Sequence, residues 1–233
     1  MTHDDLRQAG HDVDAATYTR LARFVELLLA ENRSVNLTGA RDAATLWGHV
    51  YDSLALRPRV RAAGSESVLD LGSGGGIPGL PLACVCKTAY FTLLDATRKK
   101  IAALERLIVG LELKRVSAVC GRAEELAHEA DRREQYDLVT ARAVAELPIL
   151  IEYAAGFVRL GGECWFFKTP AALKNEFPRA VTAVQTCGLE PVDTLRYRLP
   201  ADTGERVLIG YRKRQPLPDS LPRRPGRATK RPL

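Results

Sequence analysis

The residues best placed to do chemistry lie between positions 68 and 95. The apolar run Val68-Leu69 enters Asp70-Leu71-Gly72-Ser73-Gly74-Gly75-Gly76-Ile77-Pro78-Gly79, a glycine-rich turn that opens a helical segment. Glycine removes the Cβ atoms that would hold a ligand away from the backbone, and Pro78 has the fixed φ favoured at a helix start. An ordinary strand-to-helix turn needs fewer glycines. Gly74, Gly76 and Gly79 also satisfy the GxGxxG pattern of dinucleotide-binding folds, which is weak evidence alone. Asp70 separates the two ligand classes. A carboxylate just before the loop would repel a pyrophosphate, whereas S-adenosyl-L-methionine presents a cationic amino-acid end and no phosphate. Asp95 closes the run YFTLLD, where it can accept hydrogen bonds from the ribose hydroxyls of either cofactor.

Arg142 and Lys168 follow the strand-like runs YDLVTA and ECWFF, which puts both at the carboxyl edge of a parallel sheet, where ligands bind. Either can hold a phosphate or a base oxygen. Lys99, Arg122 and Arg206 are further candidates for gripping phosphates. His49 and Asp52, at i and i+3, share a helix face and read as a structural pair rather than acid–base machinery. Trp47, Trp165 and Phe166 sit in apolar segments and read as core. Five cysteines without a CxxC pair, with four histidines, argue against a zinc site, so no metal is expected. Cys120 and Cys164 read as small buried hydrophobes.

The elements that must position these residues follow from apolar periodicity. Tyr18, Leu21, Phe24, Val25, Leu28 and Leu29 recur at spacings of three and four, an amphipathic helix over Thr17 to Glu31, and a second helix is expected over Ala43 to Leu56. Residues 1–64 then form an N-terminal helical cap. From Ser67 the runs VLDL, YFTLLD, RVSAVC, YDLVTA and ECWFFK alternate with helical segments, predicting a doubly wound, mostly parallel seven-stranded α/β sheet over residues 65–214. Its last two strands form a hairpin joined through Ala201 to Gly204. Residues 215–233, rich in proline and arginine with few apolar side chains, are expected to be disordered. Residues 212–233 hold eight basic residues against Asp219, a charge of +7 that leaves the remainder near −1 of the formal +6. That segment reads equally as a phosphate-seeking arm or a solvated end. No run reaches membrane-spanning length and no secretory leader is evident, so a cytoplasmic protein is expected; a monomer is expected as well.

Read in order, Asn36-Leu37-Thr38, His49-Val50-Tyr51-Asp52-Ser53, Gly72 to Pro81, Leu94-Asp95 with Lys99, Gly121-Arg122-Ala123-Glu124-Glu125, Ala141-Arg142-Ala143, Phe167-Lys168 and Gly204-Glu205-Arg206 resemble one family. It is the bacterial 16S ribosomal RNA guanine-N7 methyltransferases, also called glucose-inhibited division protein B. The resemblance spans roughly Thr17 to Lys213. It departs mildly at Gly75, where proline is frequent, and at Ala123, where a larger apolar residue is common. The resemblance implies a class I methyltransferase fold, S-adenosyl-L-methionine as cofactor, and small-subunit ribosomal RNA or ribonucleoprotein as partner. It implies cofactor contacts from Gly72, Ile77, Ala123, Glu124 and Arg142, to which the loop and ribose arguments add Gly74 and Asp95. Arg142 and Lys168 are the expected catalytic pair. Two other readings keep the fold: a small-molecule or protein substrate, and cofactor binding without turnover.

Overall fold

The computed structural model describes residues 2–8, 10–62, 67–199 and 204–233. The expected boundary at residues 64 and 65 and the expected turn from Ala201 to Thr203 lie outside them. Helices α1 (His3–Gln8), α2 (Ala15–Asn32), α3 (Ala43–Leu54) and α4 (Arg57–Ala62) come first. Asp14 caps α2 by accepting from the Thr17 N–H at 2.6 Å, which satisfies one orphan donor of the first turn. Leu21, Phe24, Val25 and Leu28 of α2 are buried. At the end of α2 the Asn32 amide accepts from the Leu37 and Thr38 N–H groups and donates to the Thr38 and Ala40 carbonyls. One buried side chain therefore stands in for regular backbone pairing through the Asn36-Leu37-Thr38 bend.

The sheet then alternates with helices as β1 (Ser67–Leu71), α5 (Gly79–Val85), β2 (Tyr90–Asp95), α6 (Arg98–Gly110), β3 (Val116–Cys120), α7 (Ala123–Leu126), β4 (Tyr136–Arg142), α8 (Leu147–Ala155) and β5 (Val158–Lys168). α9 (Pro170–Glu176) and α10 (Val181–Thr186) precede the hairpin β6 (Leu189–Arg198) and β7 (Glu205–Lys213). Strand order is β3-β2-β1-β4-β5-β7-β6, with β7 antiparallel to both neighbours and the rest parallel. The expected seven-stranded, mostly parallel sheet is present. The order reverses between β1 and β4, the crevice where such sheets bind ligands. Apolar clusters cover both faces: Val68, Leu80, Leu93 and Leu104 belong to one, and Leu69, Leu71, Val139 and Ile151 to the other. Trp47, Trp165 and Phe166 are core residues, as expected. Cys164 is fully buried, but Cys120 is exposed because β3 is an edge strand. No described helix is long and apolar enough to cross a membrane.

The segment after β7 corrects the expectation of disorder. Leu217, Leu221 and Ala228 are buried against the sheet's second face, and a short helix α11 (Arg227–Lys230) ends the packed stretch. Two polar anchors explain why so few apolar residues suffice. Glu152 on α8 is completely buried, and Arg223 meets it with a bidentate guanidinium contact at 2.5–3.2 Å while the Arg223 N–H adds a bond of 2.8 Å. The Arg133 guanidinium donates to the carbonyls of Leu217, Pro218 and Leu221, satisfying backbone that has no regular structure of its own. A buried acid without its cation is strongly destabilising.

Arg223→Ala should therefore cost about 3 kcal/mol by stranding Glu152, which for a chain of this size lowers the melting temperature by roughly 6–12 °C. The double replacement Glu152→Leu with Arg223→Met should recover most of the loss. A thermal melt of Arg223→Ala coincident with the parent would contradict this account.

Candidate active site

A cleft of about 830 Å³ opens at the carboxyl ends of β1, β4 and β5. Gly72, Gly74 and Ile77 line it on one side, and Arg142 and Lys168 on the other. Two clefts of similar volume lie elsewhere, one between α1–α2 and the loop before β2 and one beneath the C-terminal segment. Neither includes the glycine loop, so the β1/β4 crevice is the site its geometry favours.

The loop is held from below and above. The N–H groups of Gly72 and Ser73 donate to the Leu94 carbonyl at 2.8 and 2.9 Å, tying the loop to the end of β2. Asp95 accepts from the Gly74 N–H at 3.1 Å and from the Thr97 N–H at 2.9 Å, with Lys100 Nζ 3.7 Å away. Gly74 has φ +54°, and a Cβ there would lie 3.3 Å from the Leu37 carbonyl oxygen. The Asn36-Leu37-Thr38 bend is thus a lid of protein backbone on the loop, and a side chain at Gly74 would meet it before any ligand. The Gly72 carbonyl accepts no hydrogen bond from the described residues.

Asp70 does not face the cleft. It is fully buried, its Oδ2 accepts from the Gly79 N–H at 3.0 Å, and its Oδ1 has no partner among the described residues. The expected charge complement to a cationic ligand is replaced by a cap on the first turn of α5. A Cβ on residue 79 would come within 2.7 Å of that carboxylate, so glycine is needed for the approach. Burial pushes the Asp70 carboxyl up to about 7, opposed by the Gly79 hydrogen bond.

Arg142 is gripped by the N-terminal helices. Its Nε donates to Asp52 Oδ2 at 2.7 Å and its Nη2 lies 2.9 Å from His49 Nδ1, both on α3. Arginine has no acceptor, so His49 Nδ1 accepts and a neutral ring carries its proton on Nε2. Burial, then the Arg142 charge, lowers the His49 pKa to about 4, which keeps the ring neutral at physiological pH. The hydroxyl of Tyr197, on β6, donates to the other Asp52 oxygen. Burial and the Asp52 charge push that phenol up. His49 and Asp52 are structural rather than acid–base residues, but in place of the expected hydrogen-bonded pair each meets Arg142. Arg142 Nη1 has no partner among the described residues and is the part of the network left for a ligand. Ala143, next in the chain, has φ +57°, a strained conformation for a residue with a Cβ.

Lys168 is largely buried. Its ammonium contacts Glu176 Oε2 at 2.6 Å and donates to the Ala145 carbonyl at 2.8 Å, and the same Glu176 oxygen accepts from the Leu147 N–H at 2.7 Å. The lysine therefore fixes the Ala143–Leu147 turn to α9. Arg206 lines the cleft, whereas Lys99 and Arg122 are on exposed surface away from it. Lys100, one position further along α6, is the lysine that reaches it. Ala123 and Glu124 do not line the cleft; Glu124 is buried, accepting from Tyr153 Oη at 3.0 Å and the Gly226 N–H at 3.1 Å. Sequence reasoning misses Tyr197 and Glu176, which carry no local motif. Among the described residues no group of three or more metal-ligating side chains converges.

Asp70 gives a signed pH dependence. An unfolded aspartate ionises near 3.9, so the raised folded value makes its contribution to stability complete below pH ~4 and lost as pH rises through about 7. Asp70→Asn keeps an acceptor for Gly79 and removes the charge. Its melting temperature relative to the parent should rise steadily between pH 4 and pH 8; a difference constant with pH would exclude a raised Asp70 value.

The fold resembles solved structures at low identity. An O-methyltransferase from Bacillus cereus in complex with SAH superposes with a TM-score of 0.59 at 14% identity, covering 91% of this chain and 96% of that one. The cyclase SpnF does so with a TM-score of 0.52 at 15% identity, covering 70% and 81%. One architecture thus hosts different chemistries, and the fold alone does not choose between them. Sequence does. A ribosomal RNA small subunit methyltransferase G from Carboxydothermus hydrogenoformans is 38% identical over 91% of this chain and 89% of its own length. Its namesake from Pseudothermotoga lettingae is 37% identical over 98% and 97%. Residues 17–199 match the GidB family, described as rRNA small subunit methyltransferase G, and the chain belongs to that family.

Proposed function

We propose that this protein transfers the methyl group of S-adenosyl-L-methionine to N7 of a guanine in 16S ribosomal RNA, in the cytoplasm. The observation that carries the reading is the cleft itself, where the glycine loop faces an arginine with one amino group that has no partner among the described residues. The cofactor fits the residues present. The unpaired Gly72 carbonyl can accept from its ammonium group and the backbone at Gly74 and Ile77 allows close approach, while Asp95, expected at the ribose, is buried outside the cleft lining and holds the loop through the Gly74 N–H. When bound, the cofactor supplies an electrophilic methyl group on a sulfonium.

Guanine N7 carries an in-plane lone pair and loses no proton on attack. Transfer would carry the sulfonium's positive charge to the purine, and Gly72, Gly74 and Ile77 would hold the cofactor while Arg142 holds the base. Neither a general base nor a metal is required, which agrees with a neutral His49 whose Nδ1 is already engaged. What the protein must provide is alignment, worth up to about 7–11 kcal/mol. Arg142 Nη1 is suited to the guanine O6, an acceptor beside N7 that leaves the N7 lone pair free. Lys168 acts at one remove, by holding the turn after Arg142 in place.

Incubation of the protein with methyl-labelled cofactor and small-subunit RNA or particles should give label in 7-methylguanosine at one position. Label in protein or small molecules only would sink the proposal. Arg142→Lys keeps the charge but cannot span Asp52, His49 and a base together, so kcat should fall on the order of 100-fold, the size expected for misalignment. A variant of unchanged kcat would remove Arg142 from the reaction.

A further inference from the structure

We infer that the C-terminal segment is a pre-docked platform for the phosphate backbone of the substrate RNA, formed by Arg224, Arg227, Lys230 and Arg231. This inference rests on the proposed RNA substrate. Its starting point is a contrast in how the arginines are used. On the body, some exposed or half-exposed arginines are matched by acids, Arg59 with Asp193, Arg106 with Glu31, Arg159 with Asp137 and Arg212 with Glu163 at 2.5–2.7 Å, and the exposed ones without an ion pair among the described residues, Arg7, Arg33, Arg41, Arg98 and Arg198, are spread over the chain. Past residue 219 there is no acidic residue in the chain. Arg223 turns inward to Glu152, and Arg224, Arg227, Lys230 and Arg231 are exposed with no ion pair or side-chain hydrogen bond among the described residues. One side of the segment is spent on anchoring and the other is left cationic.

The anchoring gives the charges a fixed geometry. Leu221 and Ala228 are buried on either side of the Arg223–Glu152 pair, and the Gly226 N–H donates to Glu124 at 3.1 Å. Arg224, Arg227 and Lys230 rim a cleft of about 810 Å³ whose opposite wall carries Glu124, already buried, and Glu125. A flexible basic arm loses conformational freedom when it binds; here that ordering is already complete in the free protein. Four uncompensated cations on a rigid support suit a polyanion of regular charge spacing, and side chains of this kind bind phosphate without reading sequence. The platform lies outside the β1/β4 cleft, so it contributes position and affinity while choice of base stays with the cleft.

The test uses the full chain with Arg224, Arg227, Lys230 and Arg231 all changed to Gln, beside a charge-keeping version in which the three arginines become Lys. Affinity for a 16S RNA transcript is measured against salt, cofactor affinity by calorimetry, and the methylated position by mapping. The Gln variant should show a shallower salt slope, by about 0.7–0.9 for each phosphate no longer neutralised. The Lys variant should keep the parent slope, and both should bind cofactor and mark the same guanine as the parent. Equal slopes for the Gln variant and the parent would overturn the platform and leave the segment as a structural strap. A slope reduced equally in the Lys variant would also overturn it, since shape rather than charge would then be responsible. If the parent itself placed no label on 16S RNA, the proposed reaction would fail instead, an outcome separate from either.

Discussion

The guanidinium of Arg142 is where three separately encoded parts of the chain meet. It stands at the end of β4, takes Asp52 and His49 from the N-terminal helices, and through Asp52 engages Tyr197 of the hairpin. Bringing a carboxylate and an arginine out of water is costly, and replacement by apolar residues often stabilises a fold. What the ion pair supplies is orientation: a planar donor fork held by two acceptors cannot rotate away from the cleft. The same contact fixes α3 over the carboxyl edge of the sheet, while Asn32 holds the Leu37 bend on the glycine loop. Cap and sheet are therefore one site, and the cleft's shape depends on both.

Much of this is legible in the sequence because it is local. Strand and helix alternation, the glycine loop, and Arg142 and Lys168 at strand ends follow from spacing alone. Asp70 departs from expectation through a simple alternation. Residues 68 and 70 point to one face of β1 and residues 69 and 71 to the other, and Val68 packs beneath α5. An acid in phase with Val68 must meet the start of α5 rather than a ligand beyond the strand's tip. Tyr197 lies 145 residues from Asp52, and no spacing rule reaches that far.

The C-terminal segment departs from expectation for a different reason. Counting apolar residues predicts whether a stretch can bury surface of its own, but not whether the folded body presents a group that needs it. Glu152 sits within LPILIEYAA, a helix buried throughout, and a charge there demands a partner from elsewhere in the chain. The proline-rich composition that suggests disorder instead supplies an extended path, with Arg133 satisfying the carbonyls along it.

That partnership also orders events in time. Arg223 is synthesised 71 residues after Glu152, an interval of several seconds at ordinary translation rates of about 5–20 residues per second. During it α8 lacks the cation for its buried acid and, at first, the apolar partners that also follow it in the chain, among them Ala183, Leu217 and Leu221. The nascent sheet must then keep that helix loosely seated until the arginine emerges. Closing this face of the sheet thus joins charge neutralisation by Arg223 to the burial of Leu217, Leu221 and Ala228, and until then chaperones that recognise exposed apolar surface would have access to it.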